Sequence, residues 1–258
     1  FILSVLDGDC VSLYFCGMKF LRGLHTGYGL LIFGVLFLLV FFPLLVPIIF
    51  PRQHRWVGKV NRLWARLLCL GCFLPYRVIT RTTLDKNGQY IFCPNHASYF
   101  DIPTMGLNPI DSIFVGKNDM ENIPLFGFMY KRLHITVDRS KLKSKYGTYI
   151  KSGQALDEGK SLVIYPEGGI YTEKPPAMVR FKDGAFRLAI EKQIPIVPVT
   201  IPNNWIILPP DEFLLRWGTV SVIFHEPIPT RGMTLADLDT LKHRVFDVIE
   251  KELSQHEH

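Results

Sequence analysis

Two side chains in the segment Asn-His-Ala-Ser-Tyr-Phe-Asp, residues 95–101, have the types and spacing needed for acid–base chemistry. His96 and Asp101 are five positions apart, which is about 140° around a regular helix, so their side chains meet only if the chain turns between them. We expect His96 to end a strand and Ser98 to open the next helix, with Asp101 in its first turn. A carboxylate that reaches one imidazole nitrogen fixes the tautomer and favours the imidazolium. The pair is therefore a candidate general base.

A second polar turn, Tyr-Pro-Glu-Gly-Gly at residues 165–169, follows another apolar run. Ser98 and Asp101 alone have a simpler interpretation, because their spacing is also typical of a helix cap, with His96 an ordinary loop residue. The later acidic turn, and Asn95 beside the histidine, favour an active site. No segment resembles a serine nucleophile elbow, so the base is expected to activate a substrate hydroxyl and not an enzyme hydroxyl.

The chain beyond residue 75 alternates short apolar runs with helical or loop stretches, a pattern typical of an α/β domain. We predict a mixed sheet flanked by helices. Its strands are expected at residues 77–82, 90–93, 112–115, 134–137, 161–165, 196–201 and 220–224. A helix is predicted at 141–157, ended by Gly159, and another after Thr234 and Asp237, which resemble an N-terminal cap. Two proline-rich segments are predicted to be loops, residues 174–176 and 202–210.

The first 75 residues hold most of the apolar excess of a chain that is 48% hydrophobic, with a mean hydropathy of +0.18. We therefore divide the chain into an N-terminal membrane-anchoring helical segment, residues 1–75, and a catalytic domain, residues 76–258. Residues 30–50 carry no charge, and that many helical residues cover the roughly 30 Å apolar thickness of a bilayer. Pro43 and Pro47 are expected to break or kink the helix, so a hairpin that dips into one leaflet is an alternative to a span.

The formal net charge of +6 suits nucleic acid, anionic lipid or a phosphorylated substrate, so its distribution must decide between them. Five basic residues and two tryptophans directly follow the apolar run: Arg52, Arg55, Lys59, Arg62 and Arg66, with Trp56 and Trp64 between them. This pattern predicts a helix at the headgroup boundary of a membrane and no nucleic-acid partner. The alternative is a buried helix with a solvated basic face. If the segment spans, its basic flank places the catalytic domain on the cytoplasmic face.

The five cysteines do not form the framework of a small disulfide-rich protein. Cys69, Cys72 and Cys93 lie in apolar surroundings and are predicted to be reduced and buried. Cys69 and Cys72 have the spacing of a zinc or redox pair, but no second pair accompanies them, so no metal site is predicted. Asp7 and Asp9 stand where the basic region of a secretory signal is expected, so no such signal is predicted.

The segment 95–101 resembles the first motif of the glycerolipid acyltransferase family typified by 1-acylglycerol-3-phosphate acyltransferases. That motif is Asn-His-x-Ser-x-x-Asp, and Asn95, His96, Ser98 and Asp101 match it in full. The resemblance covers roughly residues 76 to 225. It implies that the histidine deprotonates a glycerol hydroxyl, which attacks an acyl thioester directly, with Asp101 as the orienting partner and no covalent acyl-enzyme. The oxyanion would be stabilised by Asn95 or by a backbone amide near Ser98.

Two later segments resemble further blocks of the same family. Lys117, followed by Ile123, Pro124 and Gly127, resembles the second block together with Arg139, and this implies two cations that grip an anionic acceptor. The segment Pro-Ile-Val-Pro-Val at residues 195–199 resembles the last block and is predicted to be a buried strand that shapes the pocket.

The third block of the family is usually Phe-Pro-Glu-Gly-Thr-Arg, and here it is Tyr-Pro-Glu-Gly-Gly-Ile at residues 165–170. The arginine that the family uses for the acceptor phosphate is therefore replaced by Ile170. The resemblance implies that this turn binds the acceptor through Glu167, Gly168 and Gly169. The adjacent glycines can expose backbone amides as an anion nest, and the lost charge can come from either Arg180 or Lys182.

The predicted activity is transfer of an acyl chain from acyl-CoA or acyl carrier protein to the free sn-2 hydroxyl of lysophosphatidate, giving phosphatidate. The predicted partners are membrane lipids, a lysophospholipid acceptor and the thioester donor, and no cofactor or metal is expected. Ile170 motivates an alternative acceptor, a lysolipid with another head group such as an amino acid. A membrane hydrolase and a non-enzymatic lipid-binding protein are the alternatives from other classes.

Overall fold

The computed structural model describes residues 8–50, 53, 55–117, 121, 123–138 and 142–256, with the side chains of 8–16, 117, 142 and 145 left aside. Seven strands form a single sheet, each at or within two residues of its predicted position: β1 (Tyr76–Thr80), β2 (Ile91–Pro94), β3 (Ser112–Lys117), β4 (Ile135–Val137), β5 (Ser161–Ile164), β6 (Ile196–Thr200) and β7 (Val220–Phe224). Their order across the sheet is β1-β7-β6-β2-β5-β3-β4. Only the β6–β7 pair is antiparallel among these strands. The predicted mixed sheet is confirmed.

The helices are α1 (Gly8–Ile49), α2 (Arg55–Gly71), α3 (Asp101–Met105), α4 (Phe126–Leu133), α5 (Leu142–Asp157), α6 (Gly184–Lys192), α7 (Asn204–Ile207) and α8 (Leu238–Ser254). They cover both faces of the sheet. In β2, Ile91 packs toward α5, α6 and α8, whereas the next residue, Phe92, packs toward α2 and α3. Because both faces are covered, β2, β6 and β7 are buried at every residue and are mostly apolar, without a regular alternation of apolar and polar residues.

The helix ends follow the predicted chemistry. Gly159, just beyond α5, has φ +78°, a left-handed conformation that glycine adopts without a steric penalty. Thr234 and Asp237 form a reciprocal cap before α8, and the Thr234 amide donates to the Asp237 carboxylate at 2.8 Å. The predicted loop at 202–210 is wrong in part, because the four-residue helix α7 lies within it. Ile207 of that helix is buried against α2, which explains why a loop-like composition adopts a helical turn.

The apolar N-terminal helix α1 continues through Pro43 and Pro47, so of the predicted break or kink the break does not occur. Three side chains around the prolines, Phe37, Val40 and Leu44, are buried against α2 and α4. A proline inside a helix costs about 3 kcal/mol, whereas burial of a large apolar side chain contributes about 1.5–3 kcal/mol. Docking of this helix on the domain is therefore large enough to offset both prolines.

The opposite side of α1 is apolar and exposed. Its exposed side chains recur at intervals of three and four residues: Phe20, Leu24, Tyr28, Leu31, Val35, Leu38, Phe42, Val46 and Ile49. Within the part of the chain that the structure describes, only the stretch Gly17–Ile49 has the length and composition needed to cross a membrane. One side of α1 thus packs against the domain, and the other side exposes apolar side chains.

The basic helix α2 divides its predicted interfacial residues between two environments. Arg55, Trp56 and Lys59 are exposed, as the headgroup prediction requires. Arg62 instead points inward, where its guanidinium donates to the Asp111 carboxylate at 2.6 Å. Trp64 is also turned inward, and its ring meets Phe33 of α1 edge-on at 5.2 Å. The headgroup role predicted for these last two residues is wrong, and Arg52 lies outside the described residues.

The described cysteines are free and buried, as predicted. Burial raises the pKa of the Cys69 thiol to about 12 and raises the pKa of the Cys72 and Cys93 thiols as well, so all three stay protonated at neutral pH. No group of three or more metal-ligating side chains occurs among the residues described.

A cavity of about 300 Å³ lies between α1, α2, α3 and α4. Its walls are almost entirely apolar and include Phe33, Phe37, Trp64, Pro103 and Met129. Tyr99 and Phe100, which belong to the conspicuous segment 95–101, form its wall on the side of that loop. The cavity therefore connects the N-terminal helix with the segment proposed for chemistry.

His134 is one of the ionisable groups that line this cavity, with Cys72 and Tyr130. Burial lowers the pKa of its imidazole from 6.5 to about 4, and its Nδ1 accepts a hydrogen bond from the Phe114 amide at 3.2 Å. An imidazole that accepts at Nδ1 is neutral and carries its hydrogen on Nε2. The ring also lies edge-on to Phe114. His134 thus serves as a neutral part of the cavity wall.

The pH dependence of stability tests this assignment. Between pH 6.5 and about 4 the unfolded chain binds a proton at His134 that the folded chain does not, so stability is lost as the pH falls. At about 1.4 kcal/mol per pKa unit, the loss from pH 7 to pH 5 is about 2 kcal/mol, or roughly 4–8 °C in Tm. His134→Asn keeps an acceptor near Nδ1 but does not titrate. Thermal unfolding in detergent should show the variant losing less Tm than wild type over this range, and equal losses would contradict the assignment.

Candidate active site

The sheet topology brings the two polar turns together. Strands β2 and β5 are adjacent and parallel, with Ile91 beside Leu162 and Phe92 beside Val163. The segments that leave their carboxyl ends, 95–101 and 165–169, therefore emerge at the same edge of the sheet. In open α/β sheets this edge is where ligands bind.

One oxygen of the Asp101 carboxylate organises the first turn. Asp101 Oδ2 lies 3.0 Å from His96 Nδ1 and accepts hydrogen bonds from the amides of Ala97 and Ser98, each at 2.8 Å. The aspartate is 1% exposed. The predicted contact between His96 and Asp101 is thus present, and the turn between them is closed by the same carboxylate.

The orientation of the His96 ring follows from this contact. A carboxylate accepts hydrogen bonds, so the bonded tautomer carries its hydrogen on Nδ1 and leaves Nε2 with a lone pair. Nε2 makes no hydrogen bond within the described part of the chain. The imidazole stacks on Tyr165 with ring centroids 4.1 Å apart, and its side chain is 11% exposed. His96 is therefore a fixed base with one nitrogen still able to take a proton.

Ser98 has a supporting role. Its hydroxyl donates to the Leu208 carbonyl at 2.7 Å and accepts from the Phe100 amide at 3.1 Å, and the residue is fully buried. The helix begins at Asp101, so the prediction that Ser98 opens it is wrong. A hydroxyl engaged in this way is not a nucleophile.

The two predicted oxyanion donors are both engaged elsewhere. The Asn95 amide donates to the Ile201 carbonyl at 3.1 Å and accepts from the Ile201 amide at 2.7 Å, so Asn95 joins the exits of β2 and β6. The backbone amide of Ser98 donates to Asp101. Asn95 and the Ser98 amide thus support the loop, and an oxyanion donor among the other backbone amides near Ser98 stays a prediction.

Glu167 also supports the loop, and the prediction that it binds acceptor is corrected. Its Oε1 accepts from the His96 amide at 2.7 Å and its Oε2 accepts from the Val179 amide at 3.0 Å. Burial raises the pKa of this carboxyl to about 7, although both amides and His96 lower it. With both oxygens bound and 2% of its surface exposed, Glu167 fixes the backbone of His96 from the neighbouring turn.

The glycine turn that follows is only partly open to an anion. Gly168 has φ +79° and Gly169 has φ +156°, conformations that strain any other residue. The Gly168 amide already donates to the Tyr165 carbonyl at 3.0 Å, so a nest of two free amides, as predicted, does not form. What the glycines provide is space above the backbone.

The predicted cations occupy different places. Lys182 lies across Gly168, with its ammonium 5.1 Å from the centroid of the Tyr171 ring. Arg180 is exposed on the side of Asp239, at the start of α8. Lys117 ends β3 at the same sheet edge as His96, but its side chain is outside the described residues, as is all of Arg139.

A segment that the sequence did not single out connects this site to the N-terminal helix. We call residues 208–217 the strap. At one end the Leu208 carbonyl accepts from Ser98, and at the other the Leu215 amide donates to the hydroxyl of Thr26 in α1 at 2.8 Å. Its composition resembles a surface loop, and nothing local in it indicates these partners. The role of Tyr165 was also missed, although its departure from the phenylalanine of the family block marks the position.

The fold is an α/β domain, and its paired turns are similar to those of acyltransferases. The protein-family model Acyltransferase matches residues 76–202, which contain both turns. The crystal structure of the 1-acyl-sn-glycerophosphate acyltransferase PlsC from Thermotoga maritima superposes with a TM-score of 0.72 at 19% identity, over 91% of this chain and 97% of that one. At that identity the likeness shows the fold.

Two curated relatives of this chain are named 1-acyl-sn-glycerol-3-phosphate acyltransferases. A 1-acyl-sn-glycerol-3-phosphate acyltransferase of Saccharomyces cerevisiae is 29% identical over 199 residues, covering 76% of this chain and 65% of the relative. A chloroplastic 1-acyl-sn-glycerol-3-phosphate acyltransferase of Arabidopsis thaliana is 27% identical, covering 69% of this chain and 50% of the relative. The chain thus spans about half to two thirds of the length of these relatives. It is similar to the acyltransferase family over residues 76–202, and the relatives that it resembles are named 1-acyl-sn-glycerol-3-phosphate acyltransferases.

Replacement of Glu167 by glutamine tests its support of His96. The amide keeps one acceptor oxygen but presents an NH₂ group to the other backbone N–H, which leaves a buried donor unpaired at a cost of about 1–3 kcal/mol. We expect the transfer rate to fall about tenfold or more, together with a lower Tm. Glu173→Gln, an exposed change in the following loop, is the matched control. Activity that survives Glu167→Gln unchanged would show that the glutamate does not position the base.

Tyr165→Phe tests the buried phenol that stacks on His96. Its hydroxyl is buried and has no hydrogen-bond partner among the described residues, and desolvation raises its pKa well above 10. Removing an unpaired buried hydroxyl is expected to be neutral or to stabilise by about 1 kcal/mol, which is roughly 2–4 °C in Tm. Activity should persist because the ring stack is kept. A large loss of the transfer rate would instead show that the hydroxyl takes part in the reaction.

Proposed function

We propose that this protein transfers an acyl chain from a thioester donor to the free sn-2 hydroxyl of lysophosphatidate, producing phosphatidate at a membrane. The observation that carries the proposal is the arrangement of His96. Asp101 binds its Nδ1 at 3.0 Å, Glu167 binds its backbone amide at 2.7 Å, and its Nε2 is left to accept a proton. The match to the Acyltransferase family model and the names of the relatives support the acceptor class.

In the proposed reaction Nε2 of His96 takes the proton of the acceptor hydroxyl as its oxygen attacks the thioester carbon. Asp101 stabilises the imidazolium that forms, as a buried carboxylate on the far side of the ring. The tetrahedral intermediate then collapses, the carbon–sulfur bond breaks and the imidazolium returns its proton to the departing thiolate. The ester is formed in one attack, without an acyl-enzyme, because the described site holds no activated nucleophile besides the base.

The apolar cavity beside the catalytic loop is the proposed place for an acyl chain. It has a volume of about 300 Å³ and reaches from Tyr99 and Phe100 to Phe37 and Leu44 of α1. Such a space, lined by apolar side chains and closed by an N-terminal helix, favours a long aliphatic chain over a polar group. The donor is proposed to be acyl-CoA or acyl carrier protein, since a thioester supplies the leaving thiol that the base can protonate.

The N-terminal helical segment, residues 1–75, is proposed to hold the catalytic domain, residues 76–258, against a bilayer. The support is the exposed apolar side of α1 together with Arg55, Trp56 and Lys59 of α2 at the same end of the chain. An amphipathic acceptor can then reach His96 from the lipid phase, while the soluble donor comes from water. The basic flank supports a cytoplasmic orientation for the domain.

Replacement of His96 tests the function. His96→Ala removes the base and should lower the transfer rate by about 10²–10⁴-fold, without releasing the protein from membranes. Purified enzyme would be assayed with both thioester donors and lysophosphatidate, and membrane retention would be followed by liposome flotation. His243→Ala changes an exposed histidine of α8 and is the matched control. Undiminished turnover by His96→Ala would exclude the histidine as the base.

The same assay separates the other functions. Thioester cleavage that proceeds at the same rate without a lysolipid would identify a hydrolase. Indifference of lipid binding to His96→Ala, with no turnover by the wild type, would identify a binding protein. A panel of lysolipids with phosphate, phosphodiester and amino-acid head groups decides the acceptor, and strong preference for lysophosphatidate would exclude the amino-acid lipid.

A further inference from the structure

We infer that Lys182, held over the ring of Tyr171, binds the phosphate monoester of the acceptor in place of the arginine that Ile170 has displaced. This inference rests on the proposed acyl transfer and identifies the cation that recognises its acceptor. The sequence left two candidates, Arg180 and Lys182. Their positions relative to the glycine turn decide between them.

The backbone of Lys182 is hydrogen-bonded to the turn 165–169, which also contacts His96. Its backbone amide donates to the Pro166 carbonyl at 2.8 Å, so residue 182 lies alongside the start of the turn. The next residue of the turn, Glu167, accepts from the His96 amide at 2.7 Å. The chain from His96 through Glu167 to Gly168 and Lys182 is therefore a short series of direct contacts. In a glycerol phosphate acceptor the phosphate is likewise only a few covalent bonds from the reacting hydroxyl.

The double glycine provides the space that the lysine side chain occupies. A Cβ placed on Gly168 would lie 2.8 Å from both Cδ and Cε of Lys182, and one placed on Gly169 would lie 2.8 Å from the Tyr171 ring. A threonine at position 169, as in the usual family block, would therefore displace the ring that the ammonium rests on. Lys182 and Tyr171 therefore occupy the space beside the two glycines of this block.

The charge of Lys182 remains available to a ligand. No carboxylate lies within ion-pair distance of its ammonium in the described parts of the chain, and its contact is with the Tyr171 ring at 5.1 Å. A cation–π contact at an exposed site is weak and orients the ammonium without neutralising it. A phosphate monoester supplies the charge-assisted hydrogen bonds that the ring does not.

Arg180 is exposed and its charge acts on another group, Asp239 in the first turn of α8. The pKa of Asp239 is lowered first by its hydrogen bond to Lys242, then by the charges of Lys242 and His243, and also by the charge of Arg180. The arginine thus lies close enough to the first turn of α8 for its charge to act on Asp239. Its position favours a surface charge of that helix end over an acceptor contact.

The test is a kinetic comparison of Lys182→Gln, Lys182→Arg and wild type with saturating donor. Loss of one charge-assisted phosphate contact should raise the KM for lysophosphatidate about 10- to 100-fold while kcat changes little. Lys182→Arg should restore most of the affinity. Monoacylglycerol, which has the same hydroxyl but no phosphate, should be acylated equally well by all three. Lys86→Gln, an exposed lysine in the turn before β2 and so at the opposite edge of the sheet, is the charge-matched control.

The Tyr171 ring gives an independent second test. Tyr171→Phe keeps the cation–π contact and should leave the KM for lysophosphatidate near the wild-type value, whereas Tyr171→Leu should raise it about 3- to 10-fold. Equilibrium binding of labelled lysophosphatidate to His96→Ala protein, with and without Lys182→Gln, measures the same contact without turnover. Tyr171 and Lys182 are exposed, so the substitutions at these two positions should leave the fold intact, as a Tm near that of wild type would verify.

The donor also carries phosphate, so the experiment must separate the two sources. Lys182→Gln should leave the KM for acyl-CoA and for a phosphate-free acyl thioester unchanged. A rise in the KM for acyl-CoA alone would overturn the inference and assign the lysine to the donor. An equal loss with monoacylglycerol and lysophosphatidate would also overturn it, because a merely structural lysine would act on both. If wild type transfers no acyl chain to any acceptor, the proposed function fails as well.

Discussion

A single buried carboxylate oxygen, Oδ2 of Asp101, determines the shape of the candidate active site. It takes hydrogen bonds from the Ala97 and Ser98 amides and from Nδ1 of His96. An ionised carboxylate that is 1% exposed is costly unless it is paired, and these three donors supply the compensation. The loop can satisfy that oxygen only by wrapping around it, and the same wrapping aims the imidazole. The orientation of the His96 imidazole therefore follows from the hydrogen bonds that compensate for the burial of the Asp101 carboxylate.

A second carboxylate fixes the same loop from the adjacent strand. Glu167 binds the backbone of His96, and Asp101 binds its ring, so the histidine is held at both ends. These contacts exist because β2 and β5 are parallel neighbours in the sheet, whose crossover topology brings residues 71 positions apart into contact. The two turns thus form one unit, and the sheet order is what makes them so.

The sequence predicts the local features well and the distant partners poorly. All seven strands and the His96–Asp101 contact were predictable, since apolar runs and a five-residue spacing are local signals. The inward turn of Arg62 was not, because its partner Asp111 is 49 residues away. Asn95 was expected to face substrate, yet its partner Ile201 is 106 residues away. Which polar side chains face substrate and which brace the backbone depends on the tertiary fold, and composition alone does not distinguish them.

The strap links the N-terminal helix α1 to the loop 95–101 through direct hydrogen bonds. It begins at Leu208, which accepts from Ser98, and its Leu215 amide is bonded to Thr26 of α1. Near its end, Trp217 stacks on His25 with centroids 4.4 Å apart. A chimera that exchanged the first helix for that of a related acyltransferase would break these contacts while leaving every motif residue in place. A chimera that keeps these contacts would have to take α1 and residues 208–217 from the same parent protein. The part of this protein that can be exchanged as a unit therefore consists of two segments that are distant in sequence.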